Sequence, residues 1–299
     1  MRILLTGITG QVGAALEAPL EPLGTLVKAD RSLIDLSRPD TIGPTLSRLE
    51  PDLIINPAAY TAVDRAEEQR ELAFLVNCEA PGAIAEWAAA RGTPFIHFST
   101  DYVFDGAGSL PWSEDSPTGP LSVYGASKLA GEDLVRSAKG AHLIVRTSWV
   151  YAARGANFLR TIARLARERK QLRIVADQIG GPTSARAIAD AVARIVESNR
   201  PELPRRFAAC GGLVNIACAG ETSWHGFASA IVAGLRGRCV KLEAEEIAPI
   251  RTQDYPTIAK RPANSRLDLT RLRRTFGIVM PSWEDALRVE LDALAAEFI

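Results

Sequence analysis

Three glycines at Gly7, Gly10 and Gly13 separate a short apolar run, Arg2 to Thr6, from a helical pattern over Gln11 to Leu20. This Gly-x-x-Gly-x-x-Gly turn constrains the chain more than any other feature. Glycines there permit a tight strand-to-helix turn and let another molecule approach the backbone closely, while the helix N-terminus beyond them attracts anions. At the start of a strand-helix-strand unit, such a turn predicts a dinucleotide whose pyrophosphate sits at the helix N-terminus. Tight turns of this kind also occur without ligands, so the rest of the chain has to support the expectation.

The first half continues the alternation. Thr25 to Ala29 and Asp52 to Asn56 read as strands, Thr41 to Leu49 and Val63 to Arg91 as helical stretches. Phe95 to Phe98 and His142 to Arg146 read as further strands on either side of a helix that begins near Tyr124. Strands alternating with helices predict an α/β fold, a Rossmann-type doubly wound parallel sheet. We assign residues 1–150 to a dinucleotide-binding domain, to which a helix near 187–198 returns. Residues 151–299 form mainly a smaller C-terminal substrate-binding domain, with a discontinuous boundary. In that half, Asn157 to Arg169 reads as a basic amphipathic helix, Leu172 to Val175 as a strand, Asn199 to Pro204 as a loop, and Pro249 to Arg266 as a long surface loop.

Composition narrows the partners. Thirty-five basic and 35 acidic residues leave a formal net charge of zero, so no overall field draws the chain to nucleic acid or membrane. No run approaches the roughly 20 apolar residues that span a bilayer. Cys78, Cys210, Cys218 and Cys239 lack metal-ligand spacing and read as buried thiols of a reducing compartment. The expected location is cytoplasmic.

Chemistry concentrates at strand ends. Tyr124 and Lys128 lie four residues apart, so on a helix they share a face. A phenol ordinarily titrates near pH ~10, and a nearby ammonium lowers that value, which makes the pair a proton donor. Thr100, at the end of the Phe95 strand, offers a hydroxyl to the same substrate oxygen. An exposed helix carrying both residues by chance is the plainer alternative for the pair alone. Asp30 closes the second strand, where a carboxylate accepts from an adenosine ribose, yet neighbouring Arg31 suits a 2′-phosphate. The two do not decide between NADH and NADPH.

These segments occur in order with Asn56-Pro-Ala-Ala-Tyr-Thr-Ala-Val-Asp64, Ser99-Thr-Asp-Tyr-Val-Phe-Asp-Gly106, Arg146-Thr-Ser-Trp-Val-Tyr151, Asp177-Gln-Ile-Gly-Gly-Pro-Thr183 and Arg261-Pro-Ala-Asn-Ser-Arg-Leu267. In that combination the chain resembles the extended short-chain dehydrogenases, and within them a branch that reduces dTDP-linked 4-keto-6-deoxy sugars. The resemblance spans essentially the whole chain. It implies hydride transfer from NADPH or NADH to the 4-keto group, with Tyr124 as proton donor, Lys128 lowering its pKa and holding the nicotinamide ribose, and Thr100 bonding the oxygen. For the cofactor it implies Gly10, Gln11, Val12, Asp30, Asp35, Leu36, Ala59, Tyr60 and Thr61, beside Gly7, Gly13 and Arg31. Asp101 and Trp149 match positions that contact the sugar, although a tryptophan after a buried strand also suits a core. Arg261 and Arg266 are candidates for the substrate diphosphate or for ordinary solvent-facing positions.

Two departures from the resemblance bear on assembly. Some relatives dimerise through a metal held by acidic side chains, at positions that here carry Ala15 and Arg186. We therefore expect no metal, and a monomer or weak homodimer. Two rivals remain. A nucleotide-sugar 4,6-dehydratase or epimerase has the same fold, but the dehydratases place an Asp-Glu pair where this chain has Asp101-Tyr102. A non-catalytic regulatory subunit resembling that of methionine adenosyltransferase also shares the fold, and the intact Thr100, Tyr124 and Lys128 set argues against it.

Overall fold

A computed structural model describes residues 1–298. Its central sheet has six strands: β1 (Arg2–Leu5), β2 (Thr25–Lys28), β3 (Leu53–Asn56), β4 (Phe95–Thr100), β5 (His142–Thr147) and β6 (Leu213–Asn215). All neighbours run parallel, in the order β6-β5-β4-β3-β1-β2.

The two-residue alternation of side chains along a strand explains the double winding. Ile3 and Leu5 of β1, Leu53 and Ile55 of β3, and Ile96 and Phe98 of β4 face one core. There they meet Leu16 and Leu20 of α1 (Gln11–Leu20), together with Ile188 and Val192 of the Ala185–Asn199 helix. Leu4, Ile54, Phe95 and Ile144 face the opposite core. They pack on Ile42 and Leu46 of α2 (Ile42–Leu49), Ile84 and Trp87 of α3 (Ala80–Arg91), and Val135 of α4 (Val123–Ser137). Strands buried on both faces read as unbroken apolar runs, as Leu53-Ile-Ile does.

The C-terminal half adds small sheets. Thr222–Ser223, Ile179–Gly180 and Asn264–Ser265 form one, and Gln171–Val175 pairs in parallel with Glu246–Ile250. The segment from Pro249 to Arg266 is therefore not one long loop: it begins in one strand, with Pro249 on the edge of a two-stranded sheet, and ends in another. Residues 199–204 are not a loop either. A 3-10 turn at Arg200–Glu202 leads into a helix at Leu203–Ala209, and Pro201 and Pro204 sit in first turns, where a missing N–H costs nothing.

The stretch from Val63 to Arg91 is broken into Val63–Glu68, Arg70–Phe74, a π-helical turn at Leu75–Glu79, and α3. The expectation of four buried thiols fails at Cys239, which is exposed, while Cys78, Cys210 and Cys218 are buried. Among the described residues no helix is long and apolar enough to cross a membrane. Nor does any group of three His, Cys, Asp or Glu side chains there form a metal site. Arg186 stands 3.4 Å from the buried Glu290 carboxylate.

A buried ion pair fastens α4 to the sheet. Arg146 of β5 donates through Nε to Glu132 Oε1 at 2.8 Å and through Nη2 to Oε2 at 2.6 Å. Arg136 adds a third bond to Oε2 at 2.8 Å, and the Arg146 guanidinium lies 5.0 Å from the centre of the Phe104 ring. Breaking such a pair strands a charge without its solvent or its partner. Arg146→Met is expected to lower unfolding free energy in urea by about 3 kcal/mol, with most of the loss recovered when Glu132→Leu is added. A single-variant loss below about 1 kcal/mol would contradict that role.

Candidate active site

The sheet order places β2 and β3 on opposite sides of β1, which opens a crevice at the carboxyl ends of β1 and β3. The Gly7 turn lines it. Gly7 has φ of +61°, and a Cβ on it would lie 2.8 Å from the Ala58 backbone nitrogen; one on Gly13 would lie 2.1 Å from the Gly7 carbonyl. Only glycine fits these two positions. The helix beyond starts at Gly10 without a side-chain cap, so its first N–H groups stay available to an anion. Val12 packs on the core, and Gln11 contributes a buried Oε1 that has no partner within the chain. The open helix end fits a bound pyrophosphate group, and the orphaned Gln11 acceptor suits a donor such as a ribose hydroxyl.

Past β2, Asp30 and Asp35 each build the same short turn. Asp30 Oδ1 accepts from Ser32 N at 2.9 Å and Ser32 Oγ at 2.6 Å; Asp35 Oδ1 accepts from Ser37 N at 2.9 Å and Ser37 Oγ at 2.7 Å. These bonds hold both carboxyls below the usual range. Arg31 is exposed, 3.5 Å from Asp35. Leu36 is largely buried, at 7% exposure, in the same core cluster as Ile34 and Val76.

After β3, Ala59, Tyr60 and Thr61 border the crevice as half-buried and exposed positions. Their course is set by Asn77, a buried residue of the π-helical turn that sequence reasoning missed. Asn77 accepts from Tyr60 N at 2.8 Å and donates to Tyr60 O and to Ser127 Oγ, both at 3.0 Å. Its only sequence signal was a polar residue amid an apolar helical pattern.

Ser122 caps α4 by accepting from Gly125 N at 3.2 Å, which starts the helix just before Tyr124. A Cβ on Gly125 would fall 2.2 Å from the Tyr102 carbonyl, so glycine lets the helix start close on the loop after β4. Tyr124 is thereby brought to Thr100 and stacks edge-on against Tyr102, ring centres 5.5 Å apart. Thr100 Oγ1 donates to Asp101 Oδ1 at 3.1 Å.

Lys128 departs from its expected part. Its Nζ crosses to β4, donating to the Phe98 carbonyl at 2.6 Å and meeting His97 Nε2 at 3.3 Å. Burial raises the Tyr124 phenol well above its ordinary value, and the opposing pull comes from Thr100's hydrogen bond, not from Lys128. Sharing a helix face places the two residues' stems together but does not turn their polar ends to each other. Burial also pushes Lys128 down to about 8, against the attraction of Glu132. Asp101 is buried and pushed up to about 7 by the loss of solvent, with the hydrogen bond from Thr100 opposing, and its Oδ2 has no partner.

Trp149 follows β5 in a left-handed conformation, φ +47°. Its indole stacks on Trp224 at 3.6 Å between ring centres, and Trp224 Nε1 donates to Gln178 Oε1 at 3.1 Å. Arg261 donates to Asp64 Oδ2 at 2.5 Å and lies 3.4 Å from the hydroxyl of Tyr102, whose ring packs on Tyr124. Arg266 is instead held by both oxygens of Glu221, at 2.6 and 3.2 Å, and by Asn264. It braces the Asn264–Ser265 strand, and neither arginine is simply solvent-facing.

The chain as a whole is similar to known proteins. The model of the family described as RmlD substrate binding domain matches residues 1–296. A dTDP-4-dehydrorhamnose reductase of Burkholderia thailandensis is 47% identical over 289 residues, covering 96% of this chain and 97% of that protein. One of Salmonella typhimurium is 43% identical over 290 residues, covering 95% of each. Among solved structures, a dTDP-4-dehydrorhamnose reductase of Bacillus anthracis in complex with NADP superposes with a TM-score of 0.88 at 31% identity, covering 98% of this chain and 99% of that one. Another, from Clostridium acetobutylicum, gives 0.89 at 32% identity with the same coverage. Matched from end to end in sequence and in fold, the chain belongs to the RmlD substrate binding domain family.

Proposed function

We propose that the protein is a dTDP-4-dehydrorhamnose reductase, an oxidoreductase that reduces the 4-keto group of dTDP-4-dehydro-L-rhamnose to give dTDP-L-rhamnose. Beside the end-to-end likeness to reductases of that name, the observation that carries this is the convergence of Tyr124, Thr100 and Asp101 beside a glycine turn suited to a dinucleotide. When bound, NADPH or NADH supplies the hydride. The turn at Gly7, Gly10 and Gly13, with Gln11 and Val12, holds its pyrophosphate end; Asp30, Arg31 and Asp35 border the adenosine end, and Ala59, Tyr60 and Thr61 the nicotinamide side.

The chain's own residues supply the proton. Burial keeps it on the Tyr124 phenol until an oxygen developing negative charge takes it up. Thr100 donates to that oxygen, and Lys128 carries the positive charge of the pocket. A carboxyl poised near 7, as at Asp101, presents a donor or an acceptor to a sugar hydroxyl. Trp149 borders the sugar, and Arg261 takes the diphosphate at the mouth of the site. We read residues 1–150, with the Ala185–Asn199 helix, as the dinucleotide-binding part and most of the remainder as the substrate-binding part. Asp101-Tyr102 supplies no second carboxylate for a dehydratase.

In an assay of NADPH or NADH oxidation with dTDP-4-dehydro-L-rhamnose generated in place, Tyr124→Phe is expected to cut kcat by about a thousandfold. Wild-type rate in that variant would overturn the assignment. Arg261→Ala should raise KM for the nucleotide sugar about tenfold, whereas Arg266→Ala should lower thermal stability and leave KM within about twofold. Because Lys128 is cationic below its value of about 8, kcat/KM should fall as pH rises through that value. A profile flat from pH 7 to 9 would remove Lys128's charge from the mechanism.

A further inference from the structure

A chain of buried polar side chains crosses the sheet from the glycine turn to Lys128. Thr6 Oγ1 lies 2.5 Å from Asn56 Oδ1; Asn56 Nδ2 lies 3.3 Å from His97 Nδ1; His97 Nε2 lies 3.3 Å from Lys128 Nζ. Thr6 is 2% exposed, Asn56 and His97 are fully buried, and Lys128 is 2% exposed, so water does not substitute for any of these contacts. Asn56 closes β3 and His97 lies in β4, while Thr6 follows directly on β1, the neighbour of β3 in the sheet. A run of polar groups in a sheet core has to be satisfied internally, and an apolar triad would pack there without that demand.

The donor count explains why these residue types are used. As placed, the Thr6 hydroxyl donates to Asn56 Oδ1 and Asn56 Nδ2 donates to His97 Nδ1, which leaves the His97 proton on Nε2, facing the lone pair of a neutral Lys128 amine. With an ammonium at Lys128 the polarity runs the other way and the Asn56 amide turns over: Nζ donates to His97 Nε2, His97 Nδ1–H to Asn56 Oδ1, and Asn56 Nδ2 to Thr6 Oγ1. An asparagine amide and an imidazole each present a donor on one side and an acceptor on the other, so a half-turn of the amide and a change of tautomer satisfy either direction. Burial holds His97 well below its ordinary value, which keeps the ring neutral and able to work in both.

We propose that His97, braced by Asn56 and Thr6, is the positioning residue of Lys128, holding its Nζ against the Phe98 carbonyl in both of its charge states. The inference deepens the reductase reading and rests on it for its kinetic consequence, but not for the charge behaviour of Lys128. Other titratable groups around that amine are Tyr124 and Glu132 on α4, with Arg146 of β5 behind Glu132. The Leu75–Glu79 turn brings Asn77, which does not titrate.

The test compares three substitutions. His97→Gln can place an amide near the former Nε2, His97→Asn reaches Asn56 but falls short of Lys128, and His97→Leu removes the polar group. In protein labelled with 13C-lysine, the Lys128 Cε resonance, identified by its loss in Lys128→Met, is titrated without ligands. The wild-type midpoint is expected near 8. In His97→Asn and His97→Leu it should fall by about one pH unit, the difference between losing a charge-assisted hydrogen bond from the ammonium and losing a neutral one to the amine, and His97→Gln should restore it. In the reductase assay the same two variants should lose about tenfold in kcat with the alkaline limb moved down, and His97→Gln should keep both. A folded His97→Leu, or His97→Asn if the leucine variant does not fold, with wild-type midpoint and wild-type kcat overturns the proposal. If the wild-type protein turns over no nucleotide sugar, the reductase reading fails, and the Lys128 midpoints still decide the role of His97.

Discussion

The paired charges of Arg146 and Glu132 fix the position on which the site depends. Both are buried, and desolvating two ions costs several kcal/mol unless their geometry is well matched, as the two-point contact here is. The pair adds little net stability over an apolar pair; what it adds is registry. Glu132 has one place on the sheet where its charge is compensated, so α4 cannot slide by a turn without stranding it. Tyr124 and Lys128, two turns toward the N-terminus and one turn before Glu132, inherit that registry. Lys128 then adds its own anchor to the Phe98 carbonyl of β4.

With α4 fixed, the parallel sheet does the rest of the assembly. Every strand delivers its successor loop to the same edge, so residues far apart in sequence converge without special folding instructions: Gly7 from β1, Pro57 to Ala62 from β3, Thr100 and Asp101 from β4, Trp149 after β5. The edge is also where burial is bought with polar groups. Asp101 is raised to about 7 and Lys128 lowered to about 8 by the same loss of solvent acting on opposite charges. Near neutral pH both titrate close to their midpoints, whereas at the surface each would be fully ionised.

Much of this was legible in the chain. Strong local signals carried the β-α alternation, the glycine turn and the four-residue spacing on α4, because each depends on neighbours in sequence. What could not be read depends on contacts between distant segments. The three-residue β6 is too short for periodicity to reveal and exists because β5 offers it an edge. The π-helical turn that aims Asn77 at Tyr60 looks in sequence like uninterrupted helix. Lys128 shows the limit most directly: helical spacing gave its face correctly, and a carbonyl and an imidazole on β4 decided where its charge went.

Trp149 carries the same lesson toward specificity. A tryptophan beside a sugar suggests a ring face offered for stacking, but here one face is covered by Trp224, and the Gly180 backbone lies against the ring-fusion atoms, where a Cβ would come within 2.7 Å. That face is closed to any ligand, and the ring's direction is fixed by its neighbours. The left-handed backbone at Trp149 costs about 1–2 kcal/mol for a bulky residue. Stacking on Trp224, itself held by Gln178, offsets about that much. Strain that is maintained by a matched partner, at the end of a strand that borders the site, fixes the direction of one side chain.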